Sequence, residues 1–189
     1  MENNDNTEVV IFGGGCFWCT EAVFQKLRGV ESVTAGYSGG GKESASYFDV
    51  ASGKTEHAEA VKVVYNPAKI TFLDLLTVFF ATHDPTSLNK QGADVGEQYR
   101  SAIFYTTEEQ KKASDKFVEE INTSSGSGTR VVTEVRPLEN FYEAEKEHQN
   151  YYQNNSSQSY CQIVINPKLE KVNRDFKELL RKDFNHETE

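Results

Sequence analysis

Cys16 follows Gly13-Gly14-Gly15 and opens a segment in which Phe17, Ala22, Val23, Phe24 and Leu27 fall at near-helical spacing. A sulfur placed there sits near a helix N-terminus, where unpaired N–H groups and the macrodipole favour thiolate over thiol. That geometry suits a nucleophile; a small cysteine packed on the core face of the helix is the other reading. Cys16-Phe17-Trp18-Cys19 is also a C-x-x-C pair, which serves thiol–disulfide exchange or supplies half of a tetrahedral zinc site. Zinc needs a second pair of ligands, and Cys161, His57, His83, His148 and His186 are scattered without ligand spacing, so no metal is expected. Phe17 and Trp18 have core packing as their default role. Glu59 shares a strand-type face with Val61, Val63 and Tyr65. A carboxyl held against apolar neighbours keeps its proton to higher pH, as a general acid near neutrality requires; an exposed carboxylate at a frayed strand start is the alternative. The glycines precede neither Gly-Lys-Ser nor Gly-Lys-Thr and do not match the dinucleotide fingerprint, which removes nucleotide binding.

The elements that must position these groups are legible as alternating periods. Glu8 to Phe12, Val30 to Tyr37, Ala58 to Tyr65, Tyr99 to Tyr105 and Val131 to Val135 read as strands, the second ended by Gly39-Gly40-Gly41. Phe72, Leu75, Leu76, Phe79 and Phe80 follow the i, i+3, i+4, i+7, i+8 rule and predict an amphipathic helix that stops before Asp84-Pro85. A second helix starts at Thr107-Glu108-Glu109 and carries Ala113, Phe117, Val118 and Ile121, and a flexible turn follows at Ser124 to Gly128. A polar helix is expected near Glu143 to Tyr152, a mobile polar arm at Asn154 to Ser159, and a short apolar run at Ile163-Val164-Ile165. Leu169, Val172, Phe176, Leu179 and Leu180 stripe a terminal helix. Interleaved strands and helices favour a sheet covered by helices, α/β or α+β. The loops after the first strand, around Tyr47 and over residues 83–98 are the candidate site walls.

With 189 residues, the chain is expected to be one catalytic domain, 1–189, with residues 154–189 as a C-terminal arm. A formal charge of −9 gives phosphate backbones and anionic lipid no long-range attraction, so neither nucleic acid nor a membrane is an expected partner. The opening Met1-Glu2-Asn3-Asn4-Asp5-Asn6 is polar and acidic where a signal peptide would be basic and then apolar, which predicts a cytoplasmic protein. Three cysteines in a reducing compartment are reactive, metal-binding or packed rather than stapling. Met1 is the only methionine.

Gly14 to Glu21, Gly36-Tyr37-Ser38-Gly39-Gly40 and His57-Ala58-Glu59 resemble, in order and spacing, the peptide methionine sulfoxide reductase A family. His83-Asp84-Pro85-Thr86, Gln91 to Asp94, Gly96 to Ile103, Phe141 to Glu145 and His148 through Cys161 extend the resemblance over roughly Val9 to Pro167. It implies an α/β (α+β) two-layer sandwich, a mixed sheet covered by helices around a ferredoxin-like core. It also implies an enzyme that returns the S epimer of methionine sulfoxide, free or in oxidised proteins, to methionine.

By the same resemblance Cys16 matches the nucleophile, Glu59 the acid, and Tyr47 and Tyr99 the phenols that hydrogen-bond the sulfoxide oxygen. Phe17 and Trp18 match the pocket for the sulfoxide methyl group, Asp94 a site carboxylate, and His148 a contributor near the C-terminal segment. Cys161 matches a resolving cysteine, with Cys19 as the alternative inside the C-x-x-C. Thioredoxin is the implied reductant and no cofactor is required, since electrons arrive by thiol exchange. Two departures stand out: Cys19 replaces a glycine common in relatives, and the charged segment Lys168 to Lys182 carries no thiol where some relatives have a further cysteine. Recycling through a third, near-terminal cysteine is therefore not expected, nor is reduction of the R epimer. A disulfide oxidoreductase using Cys16 and Cys19, or a zinc-binding interaction module, are the competing readings.

Overall fold

The computed structural model describes residues 6–124 and 128–182. In chain order it comprises β1 (Glu8–Gly14), α1 (Phe17–Gln25), β2 (Val30–Ser38), α2 (Tyr47–Ala51), β3 (Ala58–Tyr65), α3 (Phe72–Thr82), β4 (Lys90–Gln91), β5 (Asp94–Val95), β6 (Ser101–Tyr105), α4 (Glu108–Ser124), β7 (Glu134–Pro137), β8 (Phe141–Glu143), α5 (Tyr151–Asn155) and α6 (Asn166–Asp175). Six strands form one mixed sheet in the order β7-β6-β1-β3-β2-β8, and β4-β5 is a separate ribbon. Only the β6–β7 pair is parallel. Within this sheet β1-α1-β2-β3-α3-β6 gives the strand order β6-β1-β3-β2, a ferredoxin-like core of the kind the sequence implied.

Alternation along β3 decides the layers. Val61, Val63 and Tyr65 are fully buried in the main core with residues of α1, α3 and α6, while Ala60 joins Ile11, Ala102 and Phe104 on the opposite face. That second face is small and is covered by Val9, Leu138 and Phe141. Under the helices, Phe12 stacks on Phe24 at 5.0 Å, on Phe79 at 4.7 Å and on Phe72 at 6.5 Å between ring centroids. Each such ring, removed from water, contributes about 2–3 kcal/mol. The stripe predicted over 72–80 is α3, started by a capping box in which Thr71 and Asp74 bond each other's backbone N–H groups.

Several elements differ from their sequence expectation. The polar helix expected over 143–152 is instead β8, a 3₁₀ turn at Lys146–His148 and the five-residue α5. Its residues answer to distant partners: Glu143 pairs with Gly36, and Gln149 exchanges hydrogen bonds with both backbone groups of Ala35 at 2.9 Å. The strand expected from Val131 begins at Glu134, because Val132 donates its N–H to the Pro85 carbonyl rather than to a strand neighbour. Tyr99 closes a 3₁₀ turn, Glu97–Tyr99, ahead of β6. The short apolar run at Ile163-Val164-Ile165 lies in a π-helical turn, Cys161–Ile165, that runs into α6. The terminal helix stops at Asp175, followed by the 3₁₀ turn Lys177–Leu179. Residues 154–159, whose composition suggested a mobile arm, fold as the end of α5 and the turn leading to Tyr160. Most of the turn expected at Ser124 to Gly128 and His186 lie outside the described residues.

Candidate active site

Two glycines make the turn from β1 into α1. Gly15 has φ +87°, and a Cβ there would lie 2.7 Å from Gln91 Cγ; one on Gly14 would lie 2.9 Å from the Phe79 ring. This leaves Cys16 as the N-cap of α1, with φ −57° and ψ 125°, and only 8% exposed. β3 runs beside β1, and the Glu59 carbonyl is 3.3 Å from where a Gly13 Cβ would be. Glu59 therefore meets the start of α1, where its Oε2 accepts the Phe17 N–H at 3.1 Å.

Burial raises the Glu59 pKa to about 8. The Phe17 N–H opposes that rise, and the neighbouring Asp94 and Cys19 charges add to it. Tyr47 and Tyr99 are also held above the ordinary phenol range, by burial and by the field of Glu59, so both stay O–H donors. The Cys16 and Cys19 thiols are close enough to shift each other's ionisation. Burial, Cys19 and Glu59 push Cys16 up, whereas Cys16 brings Cys19 down to about 7, with Lys168 and Tyr160 assisting against burial.

Aromatic rings build the adjoining wall. Trp18 stacks on Tyr151 with centroids 3.6 Å apart and planes 6° apart, and meets Tyr160 edge-on at 5.7 Å. Its indole N–H donates to His148 Nδ1 at 3.2 Å, which leaves the His148 proton on Nε2. His148 stacks on Tyr47 at 4.1 Å, and Phe17 lies 5.7 Å from His148 and 6.5 Å from Tyr47. Glu145 fixes Tyr47 by accepting its N–H at 2.8 Å, and takes the Tyr37 hydroxyl at 2.7 Å.

On the other side of the thiols a cleft of about 470 Å³ reaches Cys16 and Cys19 between His83, Gln91, Asp94, Tyr160, Ile163 and Lys168. Tyr160 divides this cleft from the aromatic wall: its hydroxyl donates to Asp94 Oδ2 at 2.8 Å and lies 3.8 Å from Cys19 Sγ. His83 stands behind the glycine turn, with Nδ1 donating to the Phe79 carbonyl at 2.6 Å and Nε2 accepting from the Ser101 hydroxyl at 2.7 Å. Burial lowers its pKa to about 4 and keeps it neutral.

The structure thus gathers Cys16, Phe17, Trp18, Cys19, Tyr47, Glu59, Asp94, Tyr99 and His148 around one sulfur pair. Cys161 is buried too, 0% exposed on the π-helical turn, and burial followed by the Cys19 charge holds its thiol above the ordinary range. Sequence reasoning missed Tyr160, Glu145, Gln91 and Glu21 as site builders. Tyr160 precedes a singled-out cysteine, but nothing in its local sequence marks it among nine tyrosines.

An N-cap cysteine next to a second thiol, beside a buried protonated carboxyl and phenol donors, defines a thiol-dependent oxidoreductase. The family model for peptide methionine sulfoxide reductase matches residues 8–180. The peptide methionine sulfoxide reductase MsrA of Deinococcus radiodurans is 52% identical over 174 residues, covering 92% of this chain and 84% of that protein. Saccharomyces cerevisiae Mxr1 in reduced form superposes with a TM-score of 0.76 at 32% identity, covering 85% of this chain and 92% of that one. Mxr1 in complex with Trx2 gives a TM-score of 0.53 at 25% identity, over 80% and 88% of the two chains. The chain belongs to the peptide methionine sulfoxide reductase family.

Proposed function

We propose that this chain reduces the S epimer of methionine sulfoxide, free or in oxidised proteins, to methionine. The observation that carries the reading is the Phe17 N–H bond to Glu59, which sets a carboxyl with a pKa of about 8 beside the start of α1 and the Cys16 thiol. Sulfoxide oxygen leaves sulfur only once protonated. Glu59 gives the proton, Tyr47 and Tyr99 donate hydrogen bonds to the oxygen, and Cys16 attacks as thiolate once the Cys16–Cys19 pair has lost one proton, the other staying on Cys19. The sulfoxide oxygen ends on Cys16, leaving methionine and Cys16–SOH; the substrate sulfur gains the two electrons that Cys16 loses. The assay is turnover of the separate epimers with dithiothreitol, alongside metal analysis of the purified protein. Reduction of the S epimer alone, without zinc, supports the reading; inert S epimer or equal use of both overturns it.

Phe17 and Trp18 receive the sulfoxide methyl group. Trp18→Ala is expected to raise KM and lower kcat together, by about tenfold in kcat/KM, since a methyl is recognised by apolar contact alone. Steady-state kinetics matching the parent would return Trp18 to a packing role.

Cys19 is favoured as the partner of the Cys16 sulfenic acid, in place of the Cys161 expected from sequence. The expectation rested on the family resemblance at Cys161 and on the polar composition of residues 154–159, which suggested a mobile arm. Cys16, however, is the N-cap with extended ψ, outside the helix proper and close to Cys19, while Cys161 is 0% exposed on the π-helical turn. Cys19–SH and Cys16–SOH then give the disulfide and water. Peptide mapping after one equivalent of sulfoxide is expected to find Cys16 joined to Cys19, with thioredoxin-supported turnover retained in Cys161→Ala and lost in Cys19→Ser. A Cys16–Cys161 peptide, with turnover lost in Cys161→Ala, would reverse the assignment. The thioredoxin complex of yeast Mxr1 supports thioredoxin as the reductant here. Among the described residues no helix is long and apolar enough to cross a membrane. We place the whole chain, as one catalytic unit, in the cytoplasm, where thioredoxin keeps thiols reduced.

A further inference from the structure

Glu21 is 1% exposed on α1 and has no ion pair among the described residues. Its two carboxylate oxygens take two adjacent backbone groups from the far end of the chain: Oε1 accepts the Asn150 N–H at 2.9 Å and Oε2 the Tyr151 N–H at 3.2 Å. Asn150 is held at φ +52°, a left-handed conformation an asparagine tolerates, and α5 begins there without a side-chain cap of its own. Glu21 is thus a cap supplied in trans, satisfying donors that the first turn of α5 cannot bond internally. What it fixes is the 148–151 corner, and both ends of that corner grip one side chain: Tyr151 stacks on the Trp18 ring, and His148 accepts the Trp18 indole N–H. Trp18 lies one helical turn before Glu21, so α1 carries the wall of the pocket together with the anchor of the residues that immobilise it.

We propose that Glu21 is a positioning residue for sulfoxide recognition: it holds the His148–Tyr151 corner so that the Trp18 indole stands as a fixed wall for the substrate's methyl group. The substrate half of this inference rests on the sulfoxide reading above; the Trp18 half does not. Trp18 is the sole tryptophan, so intrinsic fluorescence reports on this one wall. Glu21→Gln keeps the shape but turns an NH₂ towards one of the two N–H donors. Emission is expected to shift to the red and become more accessible to acrylamide. KM for the S sulfoxide is expected to rise about tenfold, with a smaller fall in kcat, as the loss of a charge-assisted hydrogen bond allows. Tyr151→Leu leaves the clamp intact and removes the stacked ring; it is expected to move emission and KM in the same directions, and it decides the matter if Glu21→Gln does not fold. Parent-like emission and a KM within twofold of the parent in either folded variant, even with lowered thermal stability, would overturn the proposal. A parent protein inert towards sulfoxide would end the functional reading instead, and the fluorescence arm would still decide whether Glu21 sets Trp18.

Discussion

Cys16→Ser is expected to abolish reduction of the S sulfoxide, by at least about 10³-fold, in a protein that keeps its fold. Sulfur attack on sulfur needs a soft, ionisable nucleophile, and a serine hydroxyl does not ionise near neutral pH. The fold has little stake in the sulfur, since the N-cap makes no side-chain capping bond and its backbone carbonyl still accepts the Cys19 N–H at 3.1 Å. Circular dichroism matching the parent, with no turnover under dithiothreitol, is the expected pair of measurements. Turnover retained in the folded variant would end the mechanism.

Glu59→Gln is expected to slow the chemical step by about 10²–10⁴-fold, with a smaller change in binding. The amide oxygen can still accept the Phe17 N–H, so the start of α1 stays in place; what disappears is the transferable proton. The pH dependence separates this from a general loss of shape. A general acid works only while protonated, so activity is present below the Glu59 pKa of about 8 and lost as pH rises through it. The nucleophile works only after the thiol pair has lost a proton, so activity is lost as pH falls through about 7. The parent should show a bell between these limbs, and Glu59→Gln should keep the acidic limb while losing the alkaline one. A single-turnover rate within a few-fold of the parent would show that another group supplies the proton.

The sequence was most legible where local period and tertiary burial agree. Glu59 falls on the face of Val61, Val63 and Tyr65, and because β3 lies between β1 and β2 that period alone places its carboxyl under the helices. The glycine run before Cys16 likewise marks a turn whose backbone leaves no room for a side chain at Gly15. Legibility failed where a side chain answers to something far away. Gln149 bonds Ala35, Glu145 bonds Tyr37 and Tyr47, and Tyr160 bonds Asp94, so the chain from 141 to 160 takes short pieces of strand, 3₁₀ turn and helix that no local pattern encodes. Ile163-Val164-Ile165, legible only as a short apolar run, lies in a π-helical turn whose Cys161 and Ile165 are buried in the core. The polar composition at 154–159 likewise says nothing of Tyr152 and Tyr160 on either side, whose hydroxyls bond Asn166 and Asp94.

The stack of Phe12, Phe24, Phe72 and Phe79 has a meaning beyond packing once the chemistry is known. Methionine is the usual filler for such irregular space, and oxidising a buried thioether would plant an unpaired polar oxygen in the core. Here rings occupy that space, and the sole methionine of the 189 residues is Met1. An oxidant strong enough to create work for this protein finds no thioether among the described residues to damage, so the repairer never has to queue behind its own clients.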